Sequence, residues 1–226
     1  MHDRRSFLIR IGSGLALAAT PGALAAAPST AAQPTTHQAL ETLVAGNRRF
    51  ARDESIPIRH SLRRAELAAG QNPFAIVVSC SDSRVPVETV FDQPPGAVFG
   101  VRVAGNFVDG HGLGSIEYAV ASFSSPLILV LGHTACGAVK ATVQYAKDGA
   151  AQPGHIQSLV DAILPAARAT EGESDWVASA TQQNVRDNMR ALAARSTIVR
   201  DAVASGKTAI AGGIYDLANG TVTLLA

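Results

Sequence analysis

The fold is decided by the stretch LILVLGHTAC, residues 127–136. Its first five residues form an uninterrupted apolar run, which Pro126 and Gly132 bound on either side. An apolar run of this length without alternation is typical of a strand that is buried on both faces of a parallel sheet. The stretch then reaches His133 and Cys136, so we expect both side chains just beyond the carboxyl end of that strand.

A second apolar run, FAIVV at residues 74–78, follows Pro73 and precedes Cys80. It predicts another buried strand of the same parallel sheet. In open α/β sheets, ligands bind at the loops beyond the carboxyl ends of the strands. We therefore expect Cys80 to come from a neighbouring strand end and to lie at the same functional edge as His133 and Cys136.

The rest of the chain predicts a single α/β domain, with a mostly parallel central sheet flanked by helices. An N-terminal helix at 37–52, capped by Thr35 or Thr36, is expected to dock on the core or on a partner subunit. A C-terminal β-hairpin is expected across Asn219-Gly220. The other predicted strands cover 97–103, 207–215 and 221–225, and the other predicted helices cover 113–123, a segment directly after Cys136, 156–169 and 175–204.

Composition excludes several classes of protein. The chain has 226 residues, of which 47% are hydrophobic and 16% are charged, and this balance argues against a disordered or a highly charged fibrous protein. Lys and Arg number 19 against 18 Asp and Glu, so the formal net charge is only +1. A nearly neutral protein has no strong field to attract a polyanion, and we expect no nucleic-acid partner.

The N-terminus resembles a twin-arginine export signal. Arg4-Arg5 is followed by a stretch from 11 to 27 that is rich in Ala, Leu and Gly and carries no charge. This stretch is short for a membrane span and is broken by glycine and proline, and it ends in small residues that suit cleavage. We predict a signal peptide at 1–27 and a mature domain at 28–226, exported to the bacterial periplasm without a stable membrane span. A membrane anchor and a Sec signal are the alternatives.

Cys80, His133 and Cys136 offer two thiolates and one imidazole, a donor set that suits zinc. Three protein ligands leave a fourth position for water or substrate, which is typical of a catalytic zinc site. A disulfide would be the ordinary expectation for the only two cysteines of an exported protein, but their place at the functional edge argues against it. A cysteine nucleophile with His133 as its base is the competing chemistry.

Asp82 and Arg84 lie two residues apart on the loop that follows Cys80. At this spacing the guanidinium can bind the carboxylate at two points and keep it ionised. Such a carboxylate could accept a hydrogen bond from zinc-bound water or occupy the fourth position on the metal. A simple ion pair that stabilises the loop is the alternative.

Several segments resemble the signature segments of the β-class carbonic anhydrases, and in particular their plant-like branch. They are CSDSRVP at 80–86, FGVRVAGN at 99–106, GSIEYA at 114–119 and GHTACGA at 132–138. The closing GIYD at 213–216, with Gly220, is similar to the last strands of that family. The resemblance extends from about His37 to the end of the chain.

The resemblance implies an enzyme with one Zn²⁺ per chain on Cys80, His133 and Cys136, and with Asp82 and Arg84 as the catalytic dyad. Its activity would be the reversible hydration of carbon dioxide to bicarbonate and a proton, by attack of zinc-bound hydroxide. A related activity on a carbon dioxide analogue and a zinc protein without catalysis are the other readings. The resemblance to this family also implies a homodimer or a dimer-based oligomer.

In the plant-like branch, the resemblance implies substrate-binding roles for Gln71, Phe99, Ala104 and Tyr118. Ala104 stands where that branch has a valine, so the size of the pocket differs from the family pattern. Arg102 is expected to form an ion pair in the dimer interface, with a direct role toward bicarbonate as the alternative.

Overall fold

The structure is a computed structural model, and it describes residues 32–58 and 60–225. The signal peptide predicted at 1–27 lies outside these residues. Among the described helices, none combines the length and the apolar character that a membrane crossing requires.

The described residues form eight helices and five strands in a single α/β domain. In chain order they are α1 (Thr36–Phe50), α2 (His60–Ala69), β1 (Ala75–Ser79), α3 (Val87–Val90), β2 (Val98–Arg102), α4 (Gly110–Phe123), β3 (Leu127–His133), α5 (Gly137–Asp148), α6 (Ile156–Ala169), α7 (Trp176–Arg195), α8 (Thr197–Ala204), β4 (Ala209–Tyr215) and β5 (Val222–Leu224).

The five strands form one sheet in the order β2-β1-β3-β4-β5. The first four run parallel, and β5 pairs with β4 in the antiparallel direction to form the C-terminal hairpin. Ile76 of β1 lies between Phe99 of β2 and Ile128 of β3, which fixes the register of the three strands. Every residue of β1 and β3 is buried, as their apolar runs predict. The predicted fold class is confirmed.

Helices cover both faces of the sheet, because successive strand side chains point to opposite sides. Val77 faces a core that α1 and α3 close, whereas its neighbour Val78 faces a core closed by α4, α7 and α8. A third cluster joins Cys80 and Cys136 to apolar residues of α5, α6 and α7. The two cysteines therefore lie against a packed helical layer.

The predicted N-terminal docking helix is α1, and it docks on the core of its own chain. Thr35 caps it, since its hydroxyl accepts a hydrogen bond from the backbone of the third helical residue. Leu43 is fully buried in the core beneath the helix. Asn47 donates to the Gly220 carbonyl at 2.9 Å and accepts from the Val222 N–H at 2.8 Å, so it ties the helix to the C-terminal hairpin.

The single helix predicted at 175–204 is wrong, because the structure divides it into α7 and α8. Ser196 has the extended backbone angles φ −124° and ψ 121° and ends α7. Its hydroxyl accepts a hydrogen bond from the Val199 N–H at 3.1 Å and thereby caps α8. The helical pattern of apolar residues continues on both sides of Ser196, so only the serine itself, a residue that favours the N-cap position, indicates the break in the sequence.

Candidate metal centre

The sheet brings Cys80, His133 and Cys136 to one edge. Cys80 directly follows β1, and His133 is the last residue of β3, the strand next to it. Cys136 caps the start of α5, three residues further along the chain. All three residues are buried, and their ligand atoms lie within 4.8 Å of one another. This convergence is the one that the parallel strand ends predict.

The His133 ring is oriented for a ligand. Its Nδ1 lies 2.9 Å from the Thr134 carbonyl oxygen, which can only accept, so Nδ1 carries the proton. Nε2 then presents a lone pair to the two cysteines, and it is buried without a hydrogen-bond partner. A buried nitrogen of this kind is costly unless something binds it. The donor set therefore fits a metal ion.

Both cysteines are free thiols that share one environment. The Cys136 thiol, together with the backbone N–H of Gly105, lowers the pKa of Cys80 to about 4. The same contact raises the pKa of Cys136, because that thiol donates its proton to the neighbouring sulfur. Cys80 is therefore the thiol that ionises more readily, and a cation would favour ionisation of both thiols.

Asp82 and Arg84 form the two-point pair that their spacing predicts. Arg84 donates from Nε to Asp82 Oδ1 at 2.9 Å and from Nη2 to Oδ2 at 2.7 Å. This pairing holds the pKa of Asp82 well below its usual range. Asp82 Oδ2 also lies 4.0 Å from Nε2 of His133. An ionised carboxylate of fixed orientation therefore stands beside the ligand atoms.

Arg102 braces the loop that carries the first cysteine. Its guanidinium donates from Nε to the Cys80 carbonyl at 3.1 Å and from Nη2 to the Asp82 carbonyl at 2.8 Å. Its described partners within the chain are thus backbone carbonyls, and the ion pair expected in the dimer interface stays a prediction. Arg102 reaches these carbonyls because the strand register places it opposite Ser79, the residue before Cys80. The sequence alone does not give this register, so it could not predict the role.

Ala104 is the one predicted substrate-binding residue that lies beside the centre. It follows the end of β2 and precedes Gly105, whose N–H donates to the Cys80 sulfur at 3.2 Å. The alanine is half-buried. It therefore belongs to the loop that closes over the first ligand.

The structure does not bring Gln71, Phe99 and Tyr118 to the centre of the same chain. Gln71 precedes the amino end of β1, whereas Cys80 follows its carboxyl end. Phe99 lies opposite Ile76, four residues before Cys80 and roughly 13 Å away along the strand. The Tyr118 ring packs 6.3 Å from that of Phe99, and its residue is 39% exposed. Gln71 and Phe99 therefore lie toward the amino ends of β1 and β2, and the Tyr118 ring packs beside Phe99.

Comparisons with known proteins identify the family. Residues 75–222, which include all three candidate ligands, match the sequence profile of the carbonic anhydrases. The chain is 40% identical over 190 residues to carbonic anhydrase 2 of Mycobacterium tuberculosis, and the match covers 82% of this chain and 91% of the relative.

Two solved structures have the same fold. The β-carbonic anhydrase of Coccomyxa in complex with acetazolamide is 28% identical with a TM-score of 0.65, over 82% of this chain and 86% of that one. A tetrameric β-carbonic anhydrase of Sordaria macrospora is 25% identical with a TM-score of 0.65, over 84% and 96% of the two chains. The sequence profile, the mycobacterial relative and the two solved folds all indicate one family, and the chain belongs to the β-class carbonic anhydrases.

Proposed function

We propose that this enzyme catalyses the zinc-dependent, reversible hydration of carbon dioxide to bicarbonate and a proton. The observation that carries the proposal is the unpartnered, buried Nε2 of His133, which faces two thiols at the ligand-binding edge of a parallel sheet. Similarity to proteins named carbonic anhydrases supports the same substrate.

Cys80, His133 and Cys136 would hold one Zn²⁺ per chain. Two sulfurs and one imidazole nitrogen form a set that suits zinc better than the oxygen-seeking cations. When bound, zinc supplies Lewis acidity that makes a hydroxide nucleophile available at a pH far below the pKa of free water. Burial of all three ligand residues keeps competing water away from the sulfurs.

Asp82 and Arg84 would act as the catalytic dyad beside this centre. Because Arg84 holds the pKa of Asp82 low, the carboxylate is ionised and can only accept hydrogen bonds. Oδ2, the oxygen nearest to the ligand nitrogen, is placed to accept a hydrogen bond from the O–H group of the nucleophile. This contact would turn the nucleophile's lone pair toward carbon dioxide and favour one orientation of attack.

We further propose a homodimer, or an oligomer built from it, in which a second copy completes the substrate pocket. Gln71, Phe99 and Tyr118 match the plant-like branch of the family, yet they lie far from the centre of their own chain. A partner chain could present them to that centre. The exposed Tyr118 ring and the position of β2 at the edge of the described sheet support an interface there.

The test is stopped-flow carbon dioxide hydration by the mature protein with its zinc content measured. We expect acceleration that disappears when a chelator removes the metal and returns when zinc is added. A fully zinc-loaded protein without acceleration would refute the proposal and favour a carbon dioxide analogue or a binding role.

We also propose that residues 1–27 are a twin-arginine signal and that the mature domain acts in the bacterial periplasm. The paired Arg4-Arg5 ahead of an uncharged apolar stretch supports this. The experiment fractionates cells that produce the full chain or its Arg4→Lys/Arg5→Lys variant. The variant should accumulate as an uncleaved cytoplasmic precursor. Equal export of both chains would indicate a Sec signal instead.

A further inference from the structure

The loop after β2 connects the candidate centre to a helix that provides none of its ligands. Gly105 in this loop donates its N–H to the Cys80 sulfur at 3.2 Å. The carbonyl of the same glycine accepts a hydrogen bond from Nδ2 of Asn184, on α7, at 2.8 Å. The two peptide groups of Gly105 therefore link a candidate metal ligand to Asn184, which lies 79 residues further along the chain.

A second asparagine fixes the orientation of the first. Asn188 donates from Nδ2 to Oδ1 of Asn184 at 3.1 Å, so the Asn184 amide must point its own NH₂ group toward Gly105. Oδ1 of Asn188 accepts from the Val108 N–H at 2.8 Å, at the other end of the same loop. Both asparagines are buried, with exposures of 2% and 8%. Each amide thus has a partner that sets its direction.

Packing holds Gly105 from the opposite side. Its φ of +87° lies in the left-handed region that glycine adopts without strain. A Cβ at this position would lie 2.4 Å from Cδ1 of Ile163 and 3.1 Å from Cβ of Ala138. The backbone at Gly105 is therefore confined between α5, α6 and the Asn184 amide, and little freedom is left to its hydrogen bond with sulfur.

We propose that Asn184 is a positioning residue of the metal centre, which acts through Gly105 to hold an N–H group on the Cys80 sulfur. The proposal rests on the zinc site proposed above. A donor on a ligand sulfur withdraws charge from it, so less charge passes to the metal and the ligand keeps one orientation. Without Asn184, the Gly105 carbonyl loses its partner, the loop relaxes, and the sulfur loses its donor.

The test replaces Asn184 by Leu, which has a similar size and no donor, and in a second variant by Ser, which is too short to reach Gly105. Zinc affinity is measured by competition with a chromogenic chelator. Cobalt is then substituted for zinc, and the absorption band from thiolate-to-metal charge transfer is recorded. Neither readout depends on activity.

A matched control is Thr208→Val. Thr208 is also buried, and its hydroxyl donates to the Ser125 carbonyl at 3.0 Å, 83 residues away in sequence. This bond lies at the amino ends of β3 and β4, whereas the ligands lie at the carboxyl ends of the parallel strands. The control thus removes a comparable long-range hydrogen bond and leaves the metal centre untouched.

We expect both Asn184 variants to raise the zinc dissociation constant roughly 10- to 100-fold, because Cys80 is no longer held in one orientation. The cobalt band should shift to longer wavelength, because the sulfur without its donor is richer in electrons. Thr208→Val should change neither. The inference is wrong if the Asn184 variants stay within twofold of wild type with an unshifted band, or if Thr208→Val produces the same changes. A wild-type protein that binds neither metal would refute the metal centre itself, and this inference with it.

Discussion

At the scale of single residues, the Asp82 carboxylate has the most sharply defined chemistry. Arg84 binds both of its oxygens and depresses its pKa, so the carboxylate is already ionised well below neutral pH. A depressed pKa in the folded state means that the pair contributes to stability above the ordinary carboxyl pKa of about 4 and that this contribution is lost as the pH falls further. Asp82 is therefore a constant acceptor wherever the enzyme is measured near neutrality.

Replacing this acceptor should reduce activity without removing the metal. In the Asp82→Asn variant, one oxygen becomes an NH₂ donor and the charge is lost, so the nucleophile is no longer held by an anionic acceptor. We expect kcat/KM for carbon dioxide hydration to fall roughly 10- to 100-fold at every pH from about 6 to 9, with zinc content unchanged. Unchanged activity would leave Asp82 and Arg84 as a loop-stabilising pair only.

The ligand set itself predicts the pH dependence of the reaction. Two thiolates donate more charge to zinc than imidazoles do, so a bound water should be less acidic and less hydroxide should be present near neutrality. We expect kcat/KM for hydration to rise from about pH 6 toward about pH 9. The profile is measured by stopped flow in buffers of matched ionic strength. A flat profile over this interval would contradict the argument.

At the scale of elements, the approach of α1 to α3 depends on one glycine. A Cβ at Gly46 would lie 1.8 Å from the carbonyl oxygen of Phe91, a backbone atom that cannot turn aside. Gly46→Ala should therefore push the docking helix off the core and cost about 3 kcal/mol of unfolding free energy. Urea denaturation measures this loss.

Gly110→Ala provides the control for that substitution. Gly110 opens α4, is exposed, and a Cβ there would meet nothing within 4 Å. Alanine should leave the unfolding free energy within about 1 kcal/mol of wild type, on the stabilising side. Equal losses in the two variants would mean that steric contact with Phe91 is not the cause.

The elements that sequence predicts well are those whose signal is local. The apolar runs before Cys80 and His133 predict the two central strands, and the position of parallel strand ends predicts that their polar residues meet. The roles of Arg102 and Asn184 could not be predicted, because each depends on a partner that register or helix packing brings near. Ser196 is an intermediate case, since a serine cap is a local signal but a weak one inside a periodic helix.

At the scale of the whole molecule, one chain divides the residues that the family resemblance assigns to the site between the two ends of its parallel strands. Cys80, Asp82 and Ala104 lie at the carboxyl ends of β1 and β2, whereas Gln71 and Phe99 lie toward the amino ends. A five-residue strand separates the two sets by roughly 13 Å or more. If both sets act on one substrate molecule, the second set must come from another copy of the chain.

Mixed dimers test this division directly. One subunit carries Cys136→Ser and lacks a complete metal centre, while the other carries Gln71→Ala and keeps it. In the hybrid, the intact centre of the second subunit receives Gln71 from the first, so one of the two sites regains all of its parts. We expect the two weakly active proteins to gain activity when they are refolded together, up to about half of the wild-type rate per dimer. Different affinity tags on the two chains separate hybrid from parent dimers, and each dimer is assayed for carbon dioxide hydration. If Gln71 serves the centre of its own chain, the hybrid should have no more activity than the mean of its parents, and a pocket shared between two copies would then be excluded.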